Sequence, residues 1–146
     1  MPRDLWGFKN EKDLEKTVVD LPETILKEQI AKLGDKTNYV LYGKPEFLKI
    51  DYEDFEYKMA TIFYIVVPAL DNYKKILLIM YSNPEEEYPV AITVEQELAR
   101  EDVFFSPDYT CHNTEEFVTT IQKILSSEET MKIIRMLYSK ASMLAQ

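Results

Sequence analysis

Apolar and polar residues alternate through the middle of the chain, in stretches joined by connections too short to hold a crossover. Leu48, Ile50 and Tyr52 alternate with Lys49 and Asp51, the period of a strand with one wet face. The alternation resumes at Phe55 and continues through Tyr57, Met59, Thr61, Phe63, Ile65 and Val67. The intervening residues begin polar, at Glu56 and Lys58, and turn apolar at Ile62, Tyr64 and Val66. One end of this strand is therefore expected half-exposed and the other covered on both faces. Pro68 to Asn72 read as a turn and Lys74 to Tyr81 as the next strand. Asn83 to Glu87 read as a second turn and Tyr88 to Val94 as a further strand. Parallel neighbours need a long crossover, so these short connections predict antiparallel hairpins in a meander.

Helical periodicity flanks this region. Asn10 to Val18 fit a short helix with Asn10 as its cap and Asp13 in the first turn. Asp20 and Glu23 have capping-box spacing, with Pro22 in the first turn where its missing N–H does no harm. Leu26, Ile30 and Leu33 then fall on one helical face, and Gly34 is the expected stop. Near the C-terminus, Asn113 and Glu116 repeat the capping spacing ahead of an apolar face of Phe117, Ile121, Ile124 and Leu125. Ser126 and Glu129 do so again before Ile133, Ile134, Leu137, Tyr138 and Ala141, which predicts a break between two helices. Strands in sequence bounded by helices define an α+β class. The expected architecture is an antiparallel meander of about five strands with an N-terminal helix and two C-terminal helices on one face.

With 146 residues and no linker rich in Gly, Ser or Pro, residues 1–146 are expected to form a single domain with 1–9 as an N-terminal arm. Asp and Glu number 26 against 17 Lys and Arg, a formal charge of −9. That balance opposes nucleic acid, whose phosphates require Lys and Arg, and opposes an anionic membrane surface. It attracts a cationic partner. The first residues lack the apolar core of a secretory signal. The greasiest stretch, Met59 to Leu70, is too short for the roughly 20 residues of a spanning helix. A single cysteine gives no internal disulfide, and a cytoplasmic location is the expectation.

The inventory for catalysis is thin: one cysteine, one histidine and three glycines. Cys111 and His112 are adjacent, whereas a nucleophile and its base normally come from separate parts of the chain. Zinc would need further ligands. A position just ahead of a helix would lower the pKa of Cys111 if the thiol faced that helix terminus, so reactivity stands beside a structural role. No glycine-rich phosphate loop is present. No cofactor or metal is expected. Carboxylates gather at Asp51, Glu53, Asp54 and Glu56, at Glu85, Glu86 and Glu87, and at Glu95, Glu97, Glu101 and Asp102. Such runs serve as solvated faces, as protein-binding patches or, in a pocket, as acid–base pairs. They lack the spacing and central glycine of an EF-hand. Trp6 and Phe8 lie outside any period, and the expectation is that they pin the arm onto the domain.

Three stretches together carry a resemblance: Pro22 to Leu33, the hairpin region through Pro68–Tyr73 to Tyr88–Val90, and Glu116 to Thr130. The chain from residue 22 to residue 142 resembles small, poorly characterised bacterial proteins found beside toxin genes, immunity proteins among them. The resemblance implies a cytoplasmic bacterial protein that binds another protein, and it transfers no catalytic residue. The leading expectation is a non-catalytic domain that occludes a toxin, a basic one fitting the charge. Asp51, Glu53, Asp54, Glu56, Glu85, Glu86 and Glu87 would then form the contact surface. The alternatives are an accessory or adaptor subunit that binds through an apolar face, and a carboxylate- or metal-dependent enzyme.

Overall fold

The computed structural model describes residues 2–15, 21–101 and 103–145. A five-stranded antiparallel sheet with strand order β1-β2-β3-β4-β5 forms its centre. The strands are β1 (Tyr42–Lys49), β2 (Met59–Val67), β3 (Tyr73–Asn83), β4 (Glu86–Val94) and β5 (Tyr109–Cys111). The helices are α1 (Glu11–Glu15), α2 (Pro22–Lys36), α3 (Thr114–Leu125) and α4 (Glu128–Leu144). This is the expected α+β class, with α2, α3 and α4 on one face of the meander.

The two faces are closed by different means. Under the helices, Phe63, Ile65 and Val67 of β2, Met80 of β3 and Ile92 of β4 meet Leu26 and Ile30 of α2 and Phe117 and Ile121 of α3. Each fully buried side chain of this size contributes roughly 1.5–3 kcal/mol relative to exposure. A register shift between Phe63 and Tyr64 turns both Leu77 and Leu78 into this core, as a bulge does. Among the described residues, no helix contributes to the core on the opposite face. There Ala60, Ile62, Ile79, Tyr81 and Ala91 are covered by Ile50 and Tyr57 from the β1–β2 connection. Leu98, Ala99 and Phe105, from the long excursion between β4 and β5, complete the cover.

Strand boundaries differ from the expectation in a physically informative way. Of the residues expected as a strand at 48–52, Leu48 and Lys49 are the tail of β1, which begins at Tyr42. Ile50 still donates its N–H to the Lys58 carbonyl at 2.8 Å, but a turn at Glu53 and Asp54 ends the ladder. Phe55 and Tyr57 alternate as strand residues do, yet lie in that connection with their rings on the second core. The half-exposed end expected of β2 is therefore absent: Ala60–Phe63 and Ile65–Val67 are buried. β5, three residues long, had no counterpart among the expected strands.

Helix termini correct the reading at several points. Asp20 lies outside the described residues, and the residue capping α2 is Leu21, with Pro22 at the first helical position and no side-chain cap. Gly34 is inside α2 rather than beyond it. The stop comes from Asn38 and Tyr39, both left-handed, at φ 52° and 61°. Gly34 instead leaves room for the Tyr39 ring, and Gly43 leaves room for the Ile30 carbonyl where α2 crosses β1. Asn113 caps α3 as expected, accepting the Glu116 N–H at 2.9 Å. α4 starts one residue later than expected: the Ser127 hydroxyl accepts the Thr130 N–H, while Ser126 Oγ donates back to the Gln122 carbonyl at 2.6 Å. α1 is described over Glu11–Glu15, and residues 16–18 of the expected helix lie outside the described ones; Asn10 Oδ1 accepts the Lys12 N–H at its start. Trp6 is 78% exposed and packs edge-on against Phe8, so among the described residues Trp6 does not pin the arm onto the core. Among the described residues, no helix is long and apolar enough to cross a membrane.

Candidate functional site: the acidic end of the sheet

The strand order decides where the carboxylates go. β1 ends and β2 begins at the same edge of the sheet where β3 turns into β4, because Met59 of β2 lies opposite Ser82 of β3. The β1–β2 connection carries Asp51, Glu53, Asp54 and Glu56, and the β3–β4 hairpin carries Glu85, Glu86 and Glu87. The meander thus brings together two acidic runs separated in sequence, and all of these side chains are exposed. Among the described residues, Asp51 alone of these carboxylates forms an ion pair, with Lys49 at 3.5 Å, solvent-exposed and of little energetic weight.

Lys58 ties the two loops together. Its Nζ donates to the carbonyls of Tyr52, at 3.3 Å, and Phe55, at 3.0 Å, inside the acidic connection. Its backbone N–H donates to Asn83 Oδ1 at 3.0 Å, at the root of the hairpin. Tyr57 lies between the runs. Burial raises its phenol pKa, and the nearby carboxylates of Glu56 and Glu86 raise it further.

Behind the carboxylates stands an aromatic cluster. The Phe105 ring lies 4.9 Å from Phe55 and 4.8 Å from Tyr81. The Tyr81 hydroxyl accepts the Ala99 N–H at 2.9 Å, which anchors the β4–β5 excursion over the sheet. Asp108 closes the base of that excursion by accepting the Val94 N–H at 2.7 Å. The result is a shallow cleft of about 320 Å³, walled by Tyr52, Phe55 and Phe105, with Asp54, Glu56 and Glu101 among its lining residues. Phe104, on the rim, is 90% exposed. Aromatic faces beside carboxylates suit a guanidinium or ammonium group, which gains from both.

Sequence reasoning named the carboxylates of both loops but missed the aromatic wall and grouped Glu101 with the wrong neighbours. Glu95, from the same run, sits apart and pairs with Lys75 at 3.3 Å. Asp102 lies outside the described residues. The residues around Phe104 follow no period, and only their concentration of aromatic side chains next to Glu101 was visible.

Cys111 and His112 do not form a site. They face opposite ways, as neighbours in a strand do: Cys111 is buried in the helix-side core and His112 is exposed. The helix terminus beyond Cys111 does not lower its thiol pKa; burial pushes it up. His112 donates its N–H to Glu116 at 2.9 Å, and this bond holds the Glu116 carboxyl below its ordinary pKa. Among the described residues, no group of His, Cys, Asp and Glu side chains is arranged to hold a metal ion. No protein-family model, curated protein or solved structure matches the chain.

Proposed function

We propose that the chain is a non-catalytic protein-binding domain that docks and occludes a basic partner through the acidic end of its sheet. A bacterial immunity protein against a basic toxin is the concrete form of this reading. The observation that carries it is the meeting of two separate acidic loops at one end of the sheet, the β1–β2 connection there lining an aromatic-walled cleft, in a chain of net charge −9. Carboxylates so placed would meet the cationic surface that a nuclease, for example, presents to phosphate, and would speed encounter at low salt.

The test is affinity purification of the tagged chain from its native cells, with successive washes at low and high salt. A basic protein should be retained at low salt and released at high salt. It should be lost at both from a variant carrying D54K, E56K, E86K and E87K. Equal retention by that variant would remove the acidic end from the interface. A neutral partner indifferent to salt would favour the adaptor reading, which has its own support: Met136, Tyr138, Met143 and Leu144 of α4 are exposed.

A further inference from the structure

The helix layer contains a second concavity, remote in composition from the acidic end. It lies between α2 and α4 over the middle of the sheet, with a volume of about 490 Å³, inside the range of roughly 300–1,000 Å³ typical of small-ligand sites. Its deep part is formed by Leu33, Phe63 and Leu77, all buried. Leu125, Met131 and Ile134 line the remainder, so the interior is apolar. The Thr37 hydroxyl is already engaged, donating to the Leu41 carbonyl at 2.7 Å. The charged side chains lining this pocket are Lys32 and Lys36, and no carboxylate lines it. They stand one turn apart on α2, and among the described residues neither makes an ion pair.

Two lysines that line an apolar pocket free of lining carboxylates, neither of them in an ion pair among the described residues, are notable in a protein with 26 acidic residues. We infer that this pocket binds a straight-chain aliphatic carboxylate, its alkyl chain among Leu33, Phe63 and Leu77 and its head group at Lys32 and Lys36. The alkyl chain gains from leaving water, and the lysines select an anionic head over a neutral or cationic one. This site is independent of the acidic end, and none of the carboxylates there lines it.

The experiment is titration calorimetry of the full chain with decanoate below its micellar range, beside decan-1-ol and decyltrimethylammonium. Amide chemical shifts locate the bound ligand. Decanoate should bind one to one, shift residues of α2 and α4, and bind at least tenfold more tightly than the cation. K32E with K36E should weaken decanoate at least tenfold and reverse the preference for the cation, and both positions are exposed, so the fold is expected to persist. M131W, checked by circular dichroism, should abolish binding by filling the mouth. No decanoate binding, or binding that ignores both head-group charge and the lysine substitutions, would overturn the inference. So would association with phospholipid vesicles in place of the free acid.

Discussion

Gly43 and Gly34 both make way for a neighbour, but the neighbours differ in what they can yield. A Cβ on Gly43 would press on the backbone carbonyl of Ile30, which the α2 hydrogen bonds hold in place; on Gly34 it would press on the exposed ring of Tyr39. G43A should therefore lower stability by about 1–3 kcal/mol, the usual cost of forced overpacking. G34A exchanges a displaced ring for the roughly 1 kcal/mol that Ala gains over Gly inside a helix, and should stay close to the parent in denaturant unfolding. Glu23 yields a second prediction at this scale. Burial raises its carboxyl pKa, against the opposing influence of its own backbone and of the Ser82 hydroxyl. Its Oε1, Ser82 Oγ and Thr61 Oγ1 are nevertheless buried without hydrogen-bond partners, so the serine lies near but outside bonding geometry. The folded chain thus holds this proton more tightly than the unfolded chain, where the ordinary value is about 4.3. Stability must then fall as pH rises from that value through the folded one, leaving a constant penalty at neutral pH. E23Q should melt at a higher temperature than the parent at pH 7, and the advantage should vanish below about pH 4. An equal gain at both pH values would show that the charge is not the cause.

At the level of elements, termini and short pieces separate what the sequence revealed from what it concealed. Ser126 and Ser127 each precede a polar residue at cap spacing, and no local rule chooses between them. The choice is made by the end of α3, whose Gln122 carbonyl takes the Ser126 hydroxyl and leaves Ser127 free to cap α4. S127A should accordingly cost about 1 kcal/mol, as cap removal does, while S126A should cost less than half of that; thermal unfolding of the pair decides it. Helix faces and hairpin order were legible because burial on one side forces a period. The end of α2 was not: Gly34 looked like a stop, whereas the left-handed Asn38 and Tyr39 provide one. β5 was hidden because three residues cannot display an alternation. Phe55 and Tyr57 misled in the opposite sense, for a connection that folds back over a sheet buries alternate side chains much as a strand does.

Over the whole molecule, charge and topology act together. The acidic residues were legible as runs, and their meeting at one end follows from an uncrossed strand order; the aromatic wall from the β4–β5 excursion depends on tertiary packing that no period announces. A basic partner should therefore feel a concentrated field whose reach shortens from about 10 Å at 0.1 M salt to about 3 Å at 1 M. In stopped-flow measurements with the purified partner, salt should slow association by a larger factor than it speeds dissociation. Lys58 adds a thermodynamic consequence. By stitching the β1–β2 connection to itself and to the hairpin root, it fixes before any encounter the backbone that carries most of the carboxylates. Loops restrained in this way surrender little conformational freedom on docking, so more of the contact energy remains as affinity.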